Sequence, residues 1–337
     1  MAQIDSQMAE LVAKRGANRL GRLVMKDGRF IYRHQRTEVP RRTADYNVLR
    51  HCGAAWSMLD IATQYGQMPG VINAAGLAIG YLISNHIRPF GDDGSACVVE
   101  DGIVKLGGNG LALLAIAELY RLNRRDELLD IARQLGRFIL SEQRPDGDFV
   151  HSRIYATREE RDFRSNYYTG EALFGLLRLH EITGEENWLN AVVFSEDRLN
   201  QIDYGVDADS HWMLYALEAL NRVRTSDTHV EHARRIAEHI MSTPDYRVGV
   251  RSTPIACRSE GLLAYVRLLA NAGLTGSSPT MAAAIDHIRT NLALQNSCKT
   301  PNGSFIHGGG RDDVQIDYIQ HNISAFMGFS RLPASPA

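Results

Sequence analysis

Residues 167–189 read YYTGEALFGLLRLHEITGEENWL. From 167 to 183 the segment is rich in small and apolar residues on all sides of a helical period, and its opening turn carries unusual polar residues. A helix apolar on every side is a buried helix; one with a charged stripe lies outside. A second periodic segment follows at 186–199.

The same two kinds of segment alternate along the chain. After a reading of 25–34 (MKDGRFIYRH) as a β-hairpin with a Lys-Asp-Gly turn, eleven helical segments are predicted. They span 46–65, 69–87, 107–122, 125–141, 167–183, 186–199, 209–224, 228–242, 258–272, 278–294 and 315–330. The buried kind opens with YNVLRHCGAAW, KLGGNGLALLA, NYYTGEALFGL, DSHWMLYALEAL, CRSEGLLAYVRLL or QIDYIQHNISAF. DELLDIARQLGRFILSEQ and HVEHARRIAEHIMSTP represent the amphipathic kind. The buried openings begin near 46, 105, 167, 209, 258 and 315, a spacing that fits one helical hairpin plus loops. QRPDGDF (143–149) and PNGSF (301–305) add a recurrent turn after an outer helix.

Six buried helices with outer partners are expected to close into a ring, the amphipathic N-terminal helix (Ile4, Met8, Leu11 and Val12 on one face) supplying the twelfth member. Closure is preferred over an open solenoid because polar first turns on buried helices need a shared cavity to face. The fold class is therefore all-α: residues 1–45 a helix and hairpin, 46–331 a helical toroid and 332–337 a flexible tail of one domain.

Openings of the Y-x-G-E-A-L kind and helix ends of the Q-x-x-D-G-x-F kind resemble the (α/α)6-toroid enzymes, above all the six-hairpin glycosidase-like group of unsaturated glucuronyl hydrolases and N-acylglucosamine epimerases. The resemblance covers about 45–331 and is one of architecture. It implies an enzyme acting on an acidic sugar or oligosaccharide, by hydrolysis or by lyase or epimerase chemistry at a uronate. Toroids also include terpene-cyclase-like and peptide-modifying cyclases and non-catalytic binding proteins, since fold does not fix function. QRPDGDF is similar to the repeats of squalene-cyclase-like proteins, but their Asp-x-Asp-Asp acid is absent, and DADS (207–210) is a poor substitute.

The 337 residues are 44% hydrophobic and 23% charged, with 37 Lys+Arg against 39 Asp+Glu. This near balance excludes a strongly basic nucleic-acid binder and an acidic disordered chain. No stretch is apolar enough for a membrane span, and the N-terminus has no signal-peptide core, so a cytoplasmic setting is expected. RRTADY (41–46) reads as a solvated entry loop, and GGNG (107–110) is no phosphate loop.

In such a ring the buried helices point their N-termini at one mouth, where free N–H groups and helix dipoles favour anions. Glycosidic cleavage needs two carboxyl groups, and Glu171, Asp317 and Glu260 are the catalytic candidates, with Asp101 a fourth. Glu171 and Asp317 are the preferred pair. The dipole at Glu171 opposes a raised pKa, which favours Asp317 or Glu260 as acid and Glu171 as base. Substrate-binding candidates are Arg50, His51, Tyr167, Tyr168, His211, Trp212, Arg258, Gln320 and His321: arginines for a carboxylate, aromatics for stacking on sugar rings. Asp317 and His321 share one helical face at i, i+4.

No metal and no cofactor are expected. Cys52, Cys97, Cys257 and Cys298 form no CxxC pair. A zinc site from His51, Cys52, Cys257 and His321 would lack the Cys…Cys-His order of lanthionine cyclases, because His51 precedes Cys52 and Arg258 follows Cys257.

Overall fold

A computed structural model describes residues 4–66, 68–274 and 279–332, so the expected tail at 332–337 lies, apart from Leu332, outside the described residues. Among the described residues twelve α-helices follow in order: α1 (Ser6–Leu23), α2 (Val48–Tyr65), α3 (Pro69–His86), α4 (Leu106–Asn123), α5 (Asp126–Ser141), α6 (Tyr168–Thr183), α7 (Glu186–Leu199), α8 (His211–Val223), α9 (Asp227–Ser242), α10 (Ser252–Asn271), α11 (Pro279–Ser297) and α12 (Ile316–Ser330).

The even-numbered helices form the inner wall. Each packs on the next, α2 on α4, α4 on α6, α6 on α8, α8 on α10 and α10 on α12, and α12 packs back on α2, which closes the ring. In α4 every residue from Leu106 to Leu119 is buried, as an all-round apolar helix requires. Outer helices cover the ring with one stripe; in α5 that stripe is Leu128, Ala132, Leu135, Phe138 and Ile139. The N-terminal helix α1 packs on α12 and completes the sixth hairpin across the seam.

The inner helices lie N-terminus to N-terminus. Arg50 of α2 pairs with Asp317 of α12, His321 of α12 bonds Glu260 of α10, and Tyr167, which precedes α6, meets His211 of α8. Short turns join α4 to α5, α6 to α7 and α8 to α9 at the far end, and longer segments return at the mouth.

Those returning segments carry the strands, and the sequence reading undercounted them. β1 (Arg33–Gln35), β6 (Ile306–Gly308) and β7 (Arg311–Gln315) make one sheet in the order β1-β7-β6. β2 (Ile87–Phe90), β3 (Ser95–Glu100), β4 (Ile103–Lys105) and β5 (Ser152–Ile154) make a second, antiparallel throughout. The expected hairpin at 25–34 is a short one, a bridged turn rather than a pair of full strands. Only the bridge Val24↔Phe30 closes the Lys-Asp-Gly turn, while Arg33–Gln35 pairs with the distant β7.

The segment 24–30 is instead a third copy of the outer-helix turn. Bridges Gln143↔Phe149 and Lys299↔Phe305 match it, and Gly28, Gly147 and Gly303 have φ of 87°, 87° and 88°. Each of these glycines abuts the next outer helix, at Leu77 of α3, Ser195 and Arg198 of α7, and Arg15 of α1. One further boundary moves: α10 starts at Ser252, so Cys257 and Arg258 stand in its second turn.

Candidate active site

The floor of the mouth is assembled from three inner helices. His321 Nδ1 lies 2.8 Å from Glu260 Oε1, and the other Glu260 oxygen accepts the Tyr215 hydroxyl at 2.9 Å. His211 and His321 meet edge to face with ring centroids 5.5 Å apart, and Tyr167 packs edge-on to His211 at 5.4 Å. Cys257 completes the group: one ligand atom from each of His211, Cys257 and His321 lies within 4.8 Å of the others. Burial holds His211 well below the ordinary histidine pKa. Neither of its ring nitrogens has a hydrogen-bond partner.

Arg258 is turned beside this group. Its guanidinium bonds Asp209 Oδ2 from Nη2 at 3.0 Å, and the other Asp209 oxygen meets His239 Nδ1 at 2.9 Å. Gln320 is buried between α12 and α2, its amide oxygen facing Gly53.

Glu171 sits on the next stretch of wall. Its carboxyl lies over Gly107 of α4, where a β-carbon would collide with it and with the Tyr168 ring. Glu171 Oε2 is buried without a hydrogen-bond partner, and α6 has no side-chain cap, so the acid is not spent on capping. Burial raises its pKa to about 8, with His321 pulling the other way. Desolvation thus outweighs the helix dipole that the sequence reading weighed.

Asp317 and Arg50 occupy the rim. Arg50 Nε lies 3.2 Å from Asp317 Oδ2, Arg50 Nη1 donates to the Tyr32 hydroxyl at 2.6 Å, and Gln315 Nε2 donates to Asp317 Oδ1 at 2.6 Å. A cleft of roughly 460 Å³ opens here, lined by Arg33, Arg50, Arg311, Tyr32 and Tyr318 among others. Arg33 and Arg311 both pair with Asp313.

Three sequence candidates are placed elsewhere. His51 faces the outer layer: Nε2 donates to the Ala78 carbonyl of α3 at 2.9 Å and Nδ1 accepts from Tyr46 at 2.6 Å. Trp212 is buried below the mouth in a plug with Trp56, Phe174 and Tyr215. Asp101 is exposed in the β3–β4 turn at φ 51°. With His51 and Cys52 buried in helix packing, the zinc set drawn from sequence does not assemble. Cys257 and His321 do meet, and His211 is the third member the spacing could not reveal.

A separate cavity of roughly 390 Å³ lies at the other end of the ring, among the C-terminal halves of the inner helices, with Asp60, Arg178, Glu218 and Arg267 in its wall. Tyr215, whose hydroxyl holds Glu260 at the floor of the mouth, also lines this cavity.

No protein-family profile and no curated protein matches the sequence. Solved structures do match in shape. The GH76A alpha-1,6-mannanase from Salegentibacter sp. superposes with a TM-score of 0.69 at 12% identity, over 95% of this chain and 98% of its own. The cellobiose 2-epimerase from Bacillus thermoamylovorans gives 0.74 at 10% identity over 95% and 98%. An unsaturated glucuronyl hydrolase specific for heparin gives 0.64 at 12% over 96% of each chain. The fold is the (α/α)6 toroid. At such identities the toroid is what is shared, and the chemistry rests on this chain's own residues.

Proposed function

We propose that this toroid is a carbohydrate-active enzyme that hydrolyses a glycosidic bond in an acidic sugar or oligosaccharide at the inner-helix mouth. The observation that carries the reading is the Glu171 carboxyl: buried, with one oxygen unpartnered, and with its pKa raised to about 8. Such a group keeps its proton at neutral pH and can deliver it to a leaving oxygen. Tyr167 and Tyr168, both half-buried beside it, offer faces to a sugar ring.

In this reading Glu171 protonates the glycosidic oxygen as the anomeric C–O bond breaks. Water adds its hydroxyl to the anomeric carbon, and its proton passes to Asp317, the second carboxyl group. Glu260 acts through His321, which it orients. The cleft with Arg33, Arg50 and Arg311 supports a substrate carboxylate, because guanidinium groups bind carboxylates with two donors. The three solved toroids named above are sugar enzymes by name, which supports the same substrate class. A mouth this polar argues against a cyclase working on an apolar chain. Among the described residues no helix is long and apolar enough to cross a membrane. The four cysteines are free and buried, which supports a reducing, cytoplasmic setting.

A thermal-shift screen of uronate-containing oligosaccharides identifies the ligand, and product analysis of the hits separates hydrolysis from elimination or epimerisation. Glu171→Gln is expected to lower kcat about 100- to 10,000-fold with little change in KM. Full turnover by a folded Glu171→Gln enzyme rejects the assignment.

A further inference from the structure

We propose that His211, Cys257 and His321 form a binding site for one zinc-class transition-metal ion at the floor of the mouth. The three side chains come from α8, α10 and α12, and one ligand atom of each lies within 4.8 Å of the other two. Tetrahedral zinc with two imidazole nitrogens and one thiolate needs separations of about 3.4–3.6 Å, from bond lengths of about 2.0–2.1 and 2.3 Å. Small side-chain rotations cover the difference.

Two further observations point to a ligand. His211 is 2% exposed, yet both of its ring nitrogens are unpartnered. A buried polar group in that state is costly unless something occupies the space it faces. His321 is oriented as metal-binding histidines are. Its Nδ1 is held by Glu260 Oε1 at 2.8 Å, which leaves Nε2 to face Cys257. Tyr215 in turn holds the second Glu260 oxygen at 2.9 Å, so the supporting carboxylate is itself fixed.

The donor set selects the metal. One thiolate and two imidazoles suit zinc and its neighbours, whereas magnesium and calcium require oxygen ligands. The neighbouring Arg258 guanidinium is bonded to Asp209. Three protein ligands leave a fourth position, the arrangement of a site that binds water or substrate rather than a closed structural site.

The experiment uses the whole protein, stripped with a chelator and titrated with zinc or cobalt(II) alone. One equivalent per chain is expected, and the cobalt form should show a thiolate-to-cobalt charge-transfer band with intense tetrahedral visible bands. Cys257→Ser should abolish the charge-transfer band, and His211→Gln should abolish stoichiometric binding. Cys298→Ser should change neither. Glu260→Gln is expected to weaken zinc binding about 10- to 100-fold. In the wild type, zinc should also protect Cys257 from alkylation, a readout that survives if a variant fails to fold. A wild-type protein that takes up no stoichiometric metal, or one whose cobalt form lacks a thiolate band, overturns the proposal. So does undiminished binding in folded Cys257→Ser and His211→Gln proteins. Each outcome is read without turnover, so it stands apart from the fate of Glu171 as proton donor.

Discussion

The carboxyl of Glu171 rests directly on Gly107, in the space that any larger residue on α4 would fill. Gly110, one turn along, meets α6 differently: a β-carbon there would stand 2.5 Å from the Glu171 carbonyl oxygen and 2.8 Å from the Ala172 nitrogen. The first contact is with movable side-chain ends and the second with backbone. Gly107→Ala is therefore expected to fold, because displacement of Glu171 and Tyr168 is offset by a helix-propensity gain of about 1 kcal/mol. It should nonetheless lose most of its turnover. Gly110→Ala must push two inner helices apart and should lose roughly 1–3 kcal/mol in urea denaturation. Equal stability losses in the two variants would contradict this division.

Glu171 also sets a pH dependence with a definite sign. Its folded pKa of about 8 lies above the ordinary carboxylate value of 4.5, so between those values the folded state holds a proton that the unfolded state releases. Stability from this group is full below about pH 4.5 and falls as pH rises toward 8. Tyr168 on its own helix, Cys52 on α2 and His321 on α12 are the titratable groups coupled to it. Glu171→Gln removes the effect. Measured on metal-free protein, the variant should gain on the wild type by about 2–3 kcal/mol between pH 5 and 7.5. A constant difference across that range would place the carboxyl in water.

His51 gives the opposite slope. Burial lowers its pKa to about 4, below the ordinary 6.5, so the unfolded chain binds the extra proton between those values. The stability it supports is complete above pH 6.5 and is lost as pH falls toward 4. Tyr46 bonds its ring, and Tyr81 and His86 are the other titratable groups nearby. His51→Gln costs stability at pH 7 through two altered hydrogen bonds, but the cost should shrink by about 2 kcal/mol at pH 5. Turnover at pH 7 by the folded variant should be close to normal, since the ring faces the outer layer. A pH-independent cost would show that His51 is protonated in place.

The ring was legible because burial and helical period coincide in segments such as Leu106–Leu119, where small and apolar residues lie on every face. The start of α10 was not, although Pro254 stands in its first turn, a position that tolerates proline. The strand pair 95–105 was missed despite its Asp101-Gly102 turn, because the apolar run before it is too short to separate strand from helix. Within the candidate site, polar first turns mark the helix ends that the structure gathers at one mouth. They leave open which way each helix is rotated, so the sequence alone cannot separate His51 and Trp212 from Glu171. The meeting of His211, Cys257 and His321 depends on three-dimensional closure and has no local signal.

Closure depends on the turn at Gly303. At φ 88° it adopts a backbone region that suits glycine, and a β-carbon would stand 2.8 Å from the Arg15 carbonyl oxygen of α1. The same turn buries Phe305 against Phe326 and joins Ser304 to Arg19, whose Nε donates at 2.9 Å. It therefore clamps the last outer helix to the first across the seam. Gly303→Ala combines positive-φ strain with a backbone collision, and Phe305→Ala leaves a cavity worth about 3–5 kcal/mol. Both changes should loosen α1 before the rest of the ring, because α1 sits at the seam and packs chiefly on α12, α3 and α2 besides this turn. Hydrogen exchange is expected to rise first in Ser6–Leu23, with α4 and α6 still protected. Gly147→Ala disturbs the equivalent turn against α7, away from the seam, and should leave α1 protected. If Gly303→Ala and Gly147→Ala speed exchange in the same helices, the seam is no weaker than any other joint in the ring.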